Sequence, residues 1–276
     1  MSWYAVDVVS PAEDRDAVAT WLVDRTGQAV EEKDDGTLVS FADDAAAASR
    51  LLADLGRAFA AGVSGSLRVL PDVDWTDRWR EGLGPRRIGR LVVTPSWTVP
   101  ADDTLPTVII DPESAFGTGE HGSTRSALAL LDRHLAPGSR VLDLGSGSGI
   151  LAIAALRLGA SRAIAIEVDE AVEPIARANA LRNGVQGSLR FLTGDAAVLA
   201  PLAGPAELLL SNILQSVNVT LLPAIKRSLV AGGTAIFAGM EHRERGGFLK
   251  ALGDRDFAVL DEVVDEGWWG VATRVT

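Results

Sequence analysis

The sequence predicts an α/β protein with a Rossmann-like, mostly parallel sheet in its C-terminal part and a small ferredoxin-like α+β domain before it. Two observations support this fold class. From about Thr107 onward, near-continuous apolar strands alternate with helical segments, which is typical of a parallel sheet covered on both faces. Before residue 75, the predicted order of elements is β-α-β-β-α-β, the split βαβ arrangement of ferredoxin-like domains.

The N-terminal elements follow from short-range patterns. Alternating apolar residues predict strands, an acidic first turn predicts a helix start, and an Asp-Gly pair predicts a hairpin turn. In chain order we expect a strand at Trp3–Val9, a helix from Pro11 to Gly27, two strands around Asp35–Gly36, a helix capped by Asp43 or Asp44, and a strand at Ser66–Trp75.

Composition excludes several classes of function. Apolar residues make up 47% and charged residues 23% of the 276 residues, as in a globular protein with a real core. The chain has no cysteine, which excludes disulfides, thiolate nucleophiles and Cys-based zinc sites. The N-terminus lacks the pattern of a secretory signal, and Arg157 and Arg162 interrupt the most apolar stretch. We therefore expect a cytoplasmic enzyme and no membrane segment.

The net charge of −11 limits the partners. Binding of nucleic acid through its phosphates requires a basic face. An acidic chain favours a basic protein or a small molecule as its partner, and we do not expect direct binding of nucleic acid. Residues 1–75 contain at least twice as many acidic as basic residues, so they carry much of this charge. Acidity that serves solubility alone is an equally simple interpretation.

A segment rich in tryptophan and arginine separates the two predicted domains. It contains Trp75, Trp79 and Trp97 and five arginines against two acidic residues. Aromatic residues interleaved with arginine can form a platform for nucleic acid. Because no second basic patch extends it, the segment is better interpreted as a linker whose tryptophans are buried anchors. The predicted organisation is thus a domain at 1–75, a linker at 76–97 and a larger domain at 98–276.

The stretch LDLGSGSG places Gly145, Gly147 and Gly149 between a predicted strand and a helix. A tight strand-to-helix turn needs this backbone freedom, and the missing side chains allow a ligand to approach closely. The spacing is G-x-G-x-G, and Asp143 precedes it by two residues. A carboxylate there disfavours a pyrophosphate but suits an ammonium group or an ordered water, which predicts an amino-acid-bearing nucleoside as the ligand.

The next two strands end in acidic residues that suit the same ligand. Glu167 follows the glycine turn by about 20 residues, the usual position of a carboxylate that binds both ribose hydroxyls. Asp195 ends the following strand, where its side chain and the neighbouring amide can bind an adenine edge. A surface acid at a strand end is the simpler interpretation of each residue alone. Together they predict a nucleoside lying across the carboxyl ends of the strands.

Three motifs in order give a more specific indication. They are DPESAFGTGEHGSTRSAL, LDLGSGSGILAIAALRLGA and SNIL. With the segment ending PSW and the pair Trp268–Trp269, they resemble the ribosomal protein L11 methyltransferase family, a family of class I S-adenosylmethionine-dependent methyltransferases. The resemblance covers nearly the whole chain. It implies methylation of amino groups on a large-subunit ribosomal protein, with the N-terminal domain recognising the substrate.

The resemblance also implies which residues bind S-adenosylmethionine. The family's contacts fall on Thr124, Gly145, Glu167 and Asn212, and Gly147 and Asp195 belong to the same expected site. Phe116 and Thr118 lie in the glycine-rich loop that is expected to fold over the methionine side of the cofactor. The family pattern has Pro where this chain has Gly122, and Thr where it has Glu120.

The expected reaction is attack of a neutral amine on the activated methyl group. Asn212 is the candidate catalytic residue, because its side-chain carbonyl can orient an incoming N–H; a turn-forming role is the alternative. No metal site is expected, since His121 has no nearby partner ligand, and packing is the favoured role for this histidine. Two other functions stay open: methylation of an RNA or DNA base, and a non-catalytic nucleotide-binding module.

Overall fold

The computed structural model describes residues 4–26, 30–33, 35–42, 44–59, 62–69, 84–98, 104–111 and 117–276. The chain divides into two units, Met1–Gly82 and Leu83–Thr276. Within the described part, no helix is long and apolar enough to cross a membrane.

The first unit has the predicted β-α-β-β-α-β order. Its elements are β1 (Tyr4–Val9), α1 (Arg15–Thr26), β2 (Glu31–Glu32), β3 (Leu38–Ala42), α2 (Ala45–Ala58) and β4 (Ser64–Val69). The strands form an antiparallel sheet in the order β2-β3-β1-β4, which confirms the ferredoxin-like topology. Asp44 caps α2 by accepting a hydrogen bond from the amide of Ala47 at 2.7 Å.

The second unit begins with a small sheet in a region predicted as linker. Its strands are β5 (Arg86–Ile88), β6 (Leu91–Thr94) and β7 (Thr107–Ile109). Ile88, Leu91 and Val93 are buried in the core of this unit because they pack with the helices of the larger sheet. Trp97 is 38% exposed, so it is not the buried anchor predicted for it. Trp75 and Trp79 lie outside the described residues.

A seven-stranded sheet forms most of the second unit. Its strands are β8 (Arg140–Leu144), β9 (Arg162–Glu167), β10 (Leu189–Thr193), β11 (Ala206–Asn212), β12 (Leu229–Glu241), β13 (Phe257–Asp265) and β14 (Trp268–Val275). The order is β10-β9-β8-β11-β12-β14-β13. The strands β8 to β12 are parallel and β14 is antiparallel to both neighbours, which confirms the Rossmann-like, mostly parallel fold expected of a class I methyltransferase.

Helices cover both faces of this sheet. They are α3 (Gly122–His134), α4 (Ile150–Arg157), α5 (Glu173–Arg182), α6 (Ala196–Ala203), α7 (Gln215–Ser228) and α8 (Arg245–Gly253). Successive strand residues point to opposite faces. In β11, Leu208 and Leu210 enter one apolar core, whereas Leu209 enters the other. This explains why the predicted strands read as continuous apolar runs.

The β13–β14 hairpin was not predicted. Its turn contains Glu266 and Gly267, with φ of 48° and 82°. Two left-handed residues in succession are the signature of the tight turn that suits a twisted hairpin, and Gly at the second position is a recognisable signal for it. Trp268–Trp269 entered the prediction only through the family resemblance, and no strand was predicted there.

The end of β11 packs closely against β12. Gly239 has a φ of 81°, and a Cβ atom built there would lie 2.5 Å from the carbonyl oxygen of Ile213. The pairing of β12 with β14 shifts register between Phe237 and Met240. The glycine therefore lets the backbones of β12 and the segment after β11 approach each other.

We expect Gly239→Ala to destabilise the fold more than Gly232→Ala. Both residues have positive φ, which costs an L-residue roughly 1–2 kcal/mol. Only the alanine at 239 also collides with backbone, because nothing lies within 4 Å of the Cβ position at Gly232. Urea denaturation would measure both free energies of unfolding, and equal losses would contradict the backbone clash.

Candidate functional site

A cavity of about 580 Å³ lies at the carboxyl ends of the central parallel strands. Its wall is formed by the turns after β8, β9, β10 and β11 together with Gly117. The strand order reverses between β9-β8 and β11, and ligands of open α/β sheets bind at such a switch point. The topology thus places the predicted residues of four separate motifs around one space.

The turn after β8 requires its glycines. Gly145, Gly147 and Gly149 have φ of 67°, 49° and 81°, a conformation that L side chains rarely adopt. A Cβ atom on Gly145 would also lie 2.4 Å from a methyl carbon of Ile213, across the cavity wall. Gly145 and Gly147 both line the cavity, and their contact with the cofactor stays a prediction. Close packing between β8 and β11 is an additional reason for the first glycine.

Glu167 lies at the end of β9 with its carboxylate fixed by three backbone amides. Oε2 accepts a hydrogen bond from Gly147 N at 2.9 Å. Oε1 accepts from Val168 N at 2.8 Å and from Asp169 N at 3.2 Å. Two carboxylate oxygens offer about four acceptor positions, so one remains for a ligand. The role of Glu167 as the ribose ligand stays a prediction, with a preorganised carboxylate to support it.

Asp195 combines two roles. It lines the cavity after β10, and its Oδ1 accepts a hydrogen bond from Ala197 N at 2.8 Å as the cap of α6. The preceding Gly194 donates its amide to the carbonyl oxygen of Glu167 at 2.8 Å. The capping role is structural, and contact with an adenine edge stays a prediction.

Asn212 ends β11 and lies on the cavity wall. Its Nδ2 donates to Oγ1 of Thr124 at 3.3 Å, whereas its buried Oδ1 has no hydrogen-bond partner among the described residues. Thr124 is fully buried in the first turn of α3 and stands behind Asn212 instead of on the wall. An unpaired buried acceptor is costly, which favours a ligand that donates to it.

Two more buried polar atoms near the glycine turn have no protein partner in the described part of the chain. They are Oγ of Ser146, a wall residue, and Oδ1 of Asp143. Burial raises the pKa of Asp143 to about 7, opposed by a hydrogen bond from Ala152 N and reinforced by the charge of Glu167. A ligand with hydroxyl and ammonium groups, such as S-adenosylmethionine, fits this set of acceptors.

The glycine-rich loop reaches the cavity through Gly117. Ser148 Oγ donates to the carbonyl oxygen of Gly117 at 2.7 Å, which attaches the loop beside the start of α4. Thr118 is not on the wall; its Oγ1 accepts a hydrogen bond from Glu120 N at 3.0 Å. Phe116 lies outside the described residues. The predicted cofactor contacts of both residues therefore stay predictions.

His121 makes the contacts of a packing residue. Its Nδ1 lies 2.7 Å from Ser123 Oγ, and its ring centroid lies 4.3 Å from that of Trp268. Burial lowers the pKa of His121, and the charge of Arg125 lowers it further. Among the described residues, no group of three potential ligands could hold a metal ion.

Several polar residues that support the site were not predicted from the sequence. Arg125 is buried in the first turn of α3 and pairs with Asp265 in the β13–β14 turn. Asn179 on α5 exchanges hydrogen bonds with the backbone of Asp111 and also donates to Ser148 O. No sequence signal marks these long-range pairs, although the Glu-Gly turn of the hairpin was recognisable.

Comparison with known proteins gives consistent matches. A family model described as Ribosomal protein L11 methyltransferase (PrmA) matches residues 6–276. A ribosomal protein L11 methyltransferase of Thermus thermophilus is 40% identical over 197 residues, which cover 71% of this chain and 76% of the relative. One from Escherichia coli is 39% identical over 211 residues, covering 76% of this chain and 70% of that protein.

A solved structure agrees with these sequence matches. The crystal structure of a ribosomal protein L11 methylase from Lactobacillus delbrueckii subsp. bulgaricus superposes with a TM-score of 0.64 at 28% identity. The match covers 70% of this chain and 100% of that chain.

We expect Glu167→Ala to weaken binding of S-adenosylmethionine by about 1.5–3 kcal/mol, the usual contribution of hydrogen bonds to a charged group. Part of this loss reflects the freed amides of Gly147, Val168 and Asp169. Isothermal titration calorimetry would give the dissociation constants, with Glu170→Ala as the control because Glu170 is not on the cavity wall. A change within twofold for Glu167→Ala would place the ribose elsewhere.

Proposed function

The chain belongs to the ribosomal protein L11 methyltransferase family, and we propose that it methylates lysine and N-terminal amino groups of ribosomal protein L11. It is an S-adenosylmethionine-dependent methyltransferase that acts on a ribosomal protein. The alternative of an RNA or DNA base methyltransferase is not favoured by this family. We also propose that the reaction takes place in the cytoplasm.

The unpaired Oδ1 of Asn212 supports an amine as the acceptor group. This oxygen is a hydrogen-bond acceptor of Asn212, a residue of the cavity wall together with Ile213, Leu214 and Val217. An amine donates N–H groups, and its alkyl chain suits apolar walls. The contact of Nδ2 with Thr124 orients the amide, so that the oxygen is the atom left for a substrate.

The chemistry requires a neutral amine. When bound, S-adenosylmethionine supplies an activated methyl group, so the protein mainly has to align the nitrogen lone pair. A lysine side chain has a pKa near 10.4, and removal of its proton at pH 7.5 costs roughly 4 kcal/mol. Burial against Ile213 and Leu214 lowers the pKa of an ammonium group, and the neutral amide of Asn212 does not raise it again as a carboxylate would.

We propose that other residues of the cavity bind the cofactor. The backbone of the turn at Gly145 and Gly147 would lie close to the cofactor, and Glu167 would accept hydrogen bonds from the ribose. Asp195 lies after β10, where the adenine is expected. Phe116, Thr118 and Thr124 complete the predicted contacts, with Thr124 acting on Asn212.

The first unit is proposed to recruit the substrate. The described residues that line the cavity all belong to the second unit, and the sequence of the first unit is strongly acidic. A ribosomal protein is basic, because it binds RNA. Attraction between the two charges would speed their encounter and weaken as salt screens it.

The proposed function can be tested by incubating the full-length chain and radiolabelled S-adenosylmethionine with purified L11 or with ribosomal RNA. We expect label in L11 alone, on amino groups identified by mass spectrometry, and a lower kcat/KM at higher ionic strength. Label in RNA and none in L11 would contradict the proposal. Equal rates at low and high salt would contradict the electrostatic recruitment.

Asn212 provides a second test. We expect Asn212→Ala to lower kcat at saturating cofactor by about tenfold or more, because the amine loses its orienting acceptor, with a smaller loss of cofactor affinity. Asn212→Asp introduces a carboxylate that stabilises the ammonium form, so its kcat should recover only at higher pH than in the parent. Full turnover of Asn212→Ala would contradict the alignment role.

A further inference from the structure

Arg125 occupies an unusual place for a cation. It lies in the first turn of α3, where the helix dipole disfavours positive charge, and its side chain is only 10% exposed. Such a residue needs strong compensation from nearby acceptors.

Three residues in two segments provide that compensation. The guanidinium forms a bidentate pair with Asp265, with Nε donating to Oδ2 at 2.6 Å and Nη2 to Oδ1 at 2.7 Å. Nη2 also lies 2.6 Å from Oε2 of Glu266, and Nη1 donates to the carbonyl oxygen of Glu120. One side chain therefore joins α3 and the glycine-rich loop to the β13–β14 turn.

The loop and the hairpin turn also touch directly. A Cβ atom on Gly122 would lie 2.6 Å from the carbonyl oxygen of Asp265 and 2.9 Å from Cδ1 of Trp268. The rings of His121 and Trp268 are in contact. A side chain at position 122 would collide with this backbone, so glycine allows the close approach.

Glu120–Gly122, the stretch clamped by Arg125 and the β13–β14 turn, lies in sequence between two residues of the site. Gly117 lines the cavity just before the clamped stretch Glu120–Gly122, and Thr124 contacts Asn212 just after it. On its other side, Glu120 pairs with Arg86 of β5. A shift of the hairpin turn would therefore move both the loop and the group that orients Asn212.

We propose that Arg125, paired with Asp265, is a positioning residue for methyl transfer. It fixes the loop at residues 117–121 and, through the start of α3, the orientation of Asn212. Its planar fork is what the arrangement requires, because a lysine cannot reach both oxygens of Asp265 and the carbonyl of Glu120 at once. The catalytic part of this inference rests on the proposed function of Asn212; the fixing of the loop does not.

The test uses full-length variants that retain the fold. Arg125→Lys keeps the charge but removes the fork, and Asp265→Asn keeps the size but removes the partner charge. Arg140→Lys is the matched control. Arg140 forms a bidentate pair with Glu207 at the amino-terminal ends of β8 and β11, whereas the cavity lies at their carboxyl ends. Hydrogen exchange followed by mass spectrometry measures the exchange rates of the loop amides. The kcat at saturating S-adenosylmethionine measures the rate of methyl transfer.

We expect amides of residues 117–124 to exchange at least tenfold faster in Arg125→Lys and Asp265→Asn than in the parent and the control. We expect kcat to fall about tenfold in both variants, with no further fall when Arg125→Lys is added to Asn212→Ala.

Unchanged exchange in folded variants overturns the inference. Faster exchange with full turnover, or an additive loss with Asn212→Ala, overturns the catalytic part. A parent that does not methylate L11 refutes the proposed function alone, since the exchange result is independent of it.

Discussion

The pairing of β8 with β9 on one side and β11 on the other is the constraint on which the site depends. Because all three strands are parallel, their carboxyl ends meet at one edge of the sheet, and the turns that follow must share a small volume. Positive φ at Gly145 and Gly147 lets the chain turn at once, and the amide of Gly147 then reaches the carboxylate of Glu167. The same turn leaves room for Ile213. The walls of the cavity thus follow from the packing of these three strand ends and of the turns after them.

Some polar groups at this edge of the sheet have hydrogen-bond partners among the described residues, and others have none. The groups with partners support the site, and those without are the candidates for contact with a ligand. Glu167 and Asp195 accept backbone hydrogen bonds that hold them in place while they face the cavity. Asn212 and Ser146 each keep a buried atom without a partner among the described residues. An unmade buried hydrogen bond costs about 1–3 kcal/mol, and a ligand that donates to these atoms would recover that cost. The buried Arg125 belongs to the support, because each nitrogen of its guanidinium contacts an acceptor.

The sequence was most informative where a local pattern has one structural solution. The glycine spacing predicted the turn after β8, the apolar runs predicted the parallel sheet, and the split βαβ order predicted the first unit, all as observed. It was least informative between residues 84 and 98, where tryptophans and arginines predicted a linker and no strand was predicted, whereas β5 and β6 lie in a small sheet with β7. Ile88, Leu91 and Val93 are buried there by helices distant in sequence. The β13–β14 hairpin was not predicted either, because neither strand shows an alternating pattern and β14 is placed by its pairing with the distant strand β12.

The sequence by itself determined the fold class, the family and the identity of the residues after each strand, because these depend on local periodicity and on motifs that can be read in order. Only the tertiary structure decided which atoms of those residues are available. It showed that Thr124 contacts Asn212, that Glu167 is already held by three amides, and that Oδ1 of Asn212 has no partner among the described residues. The pairing of Arg125 with Asp265 spans 140 positions of the chain. Contacts between such distant residues arise from packing of the whole unit, and no local pattern specifies them.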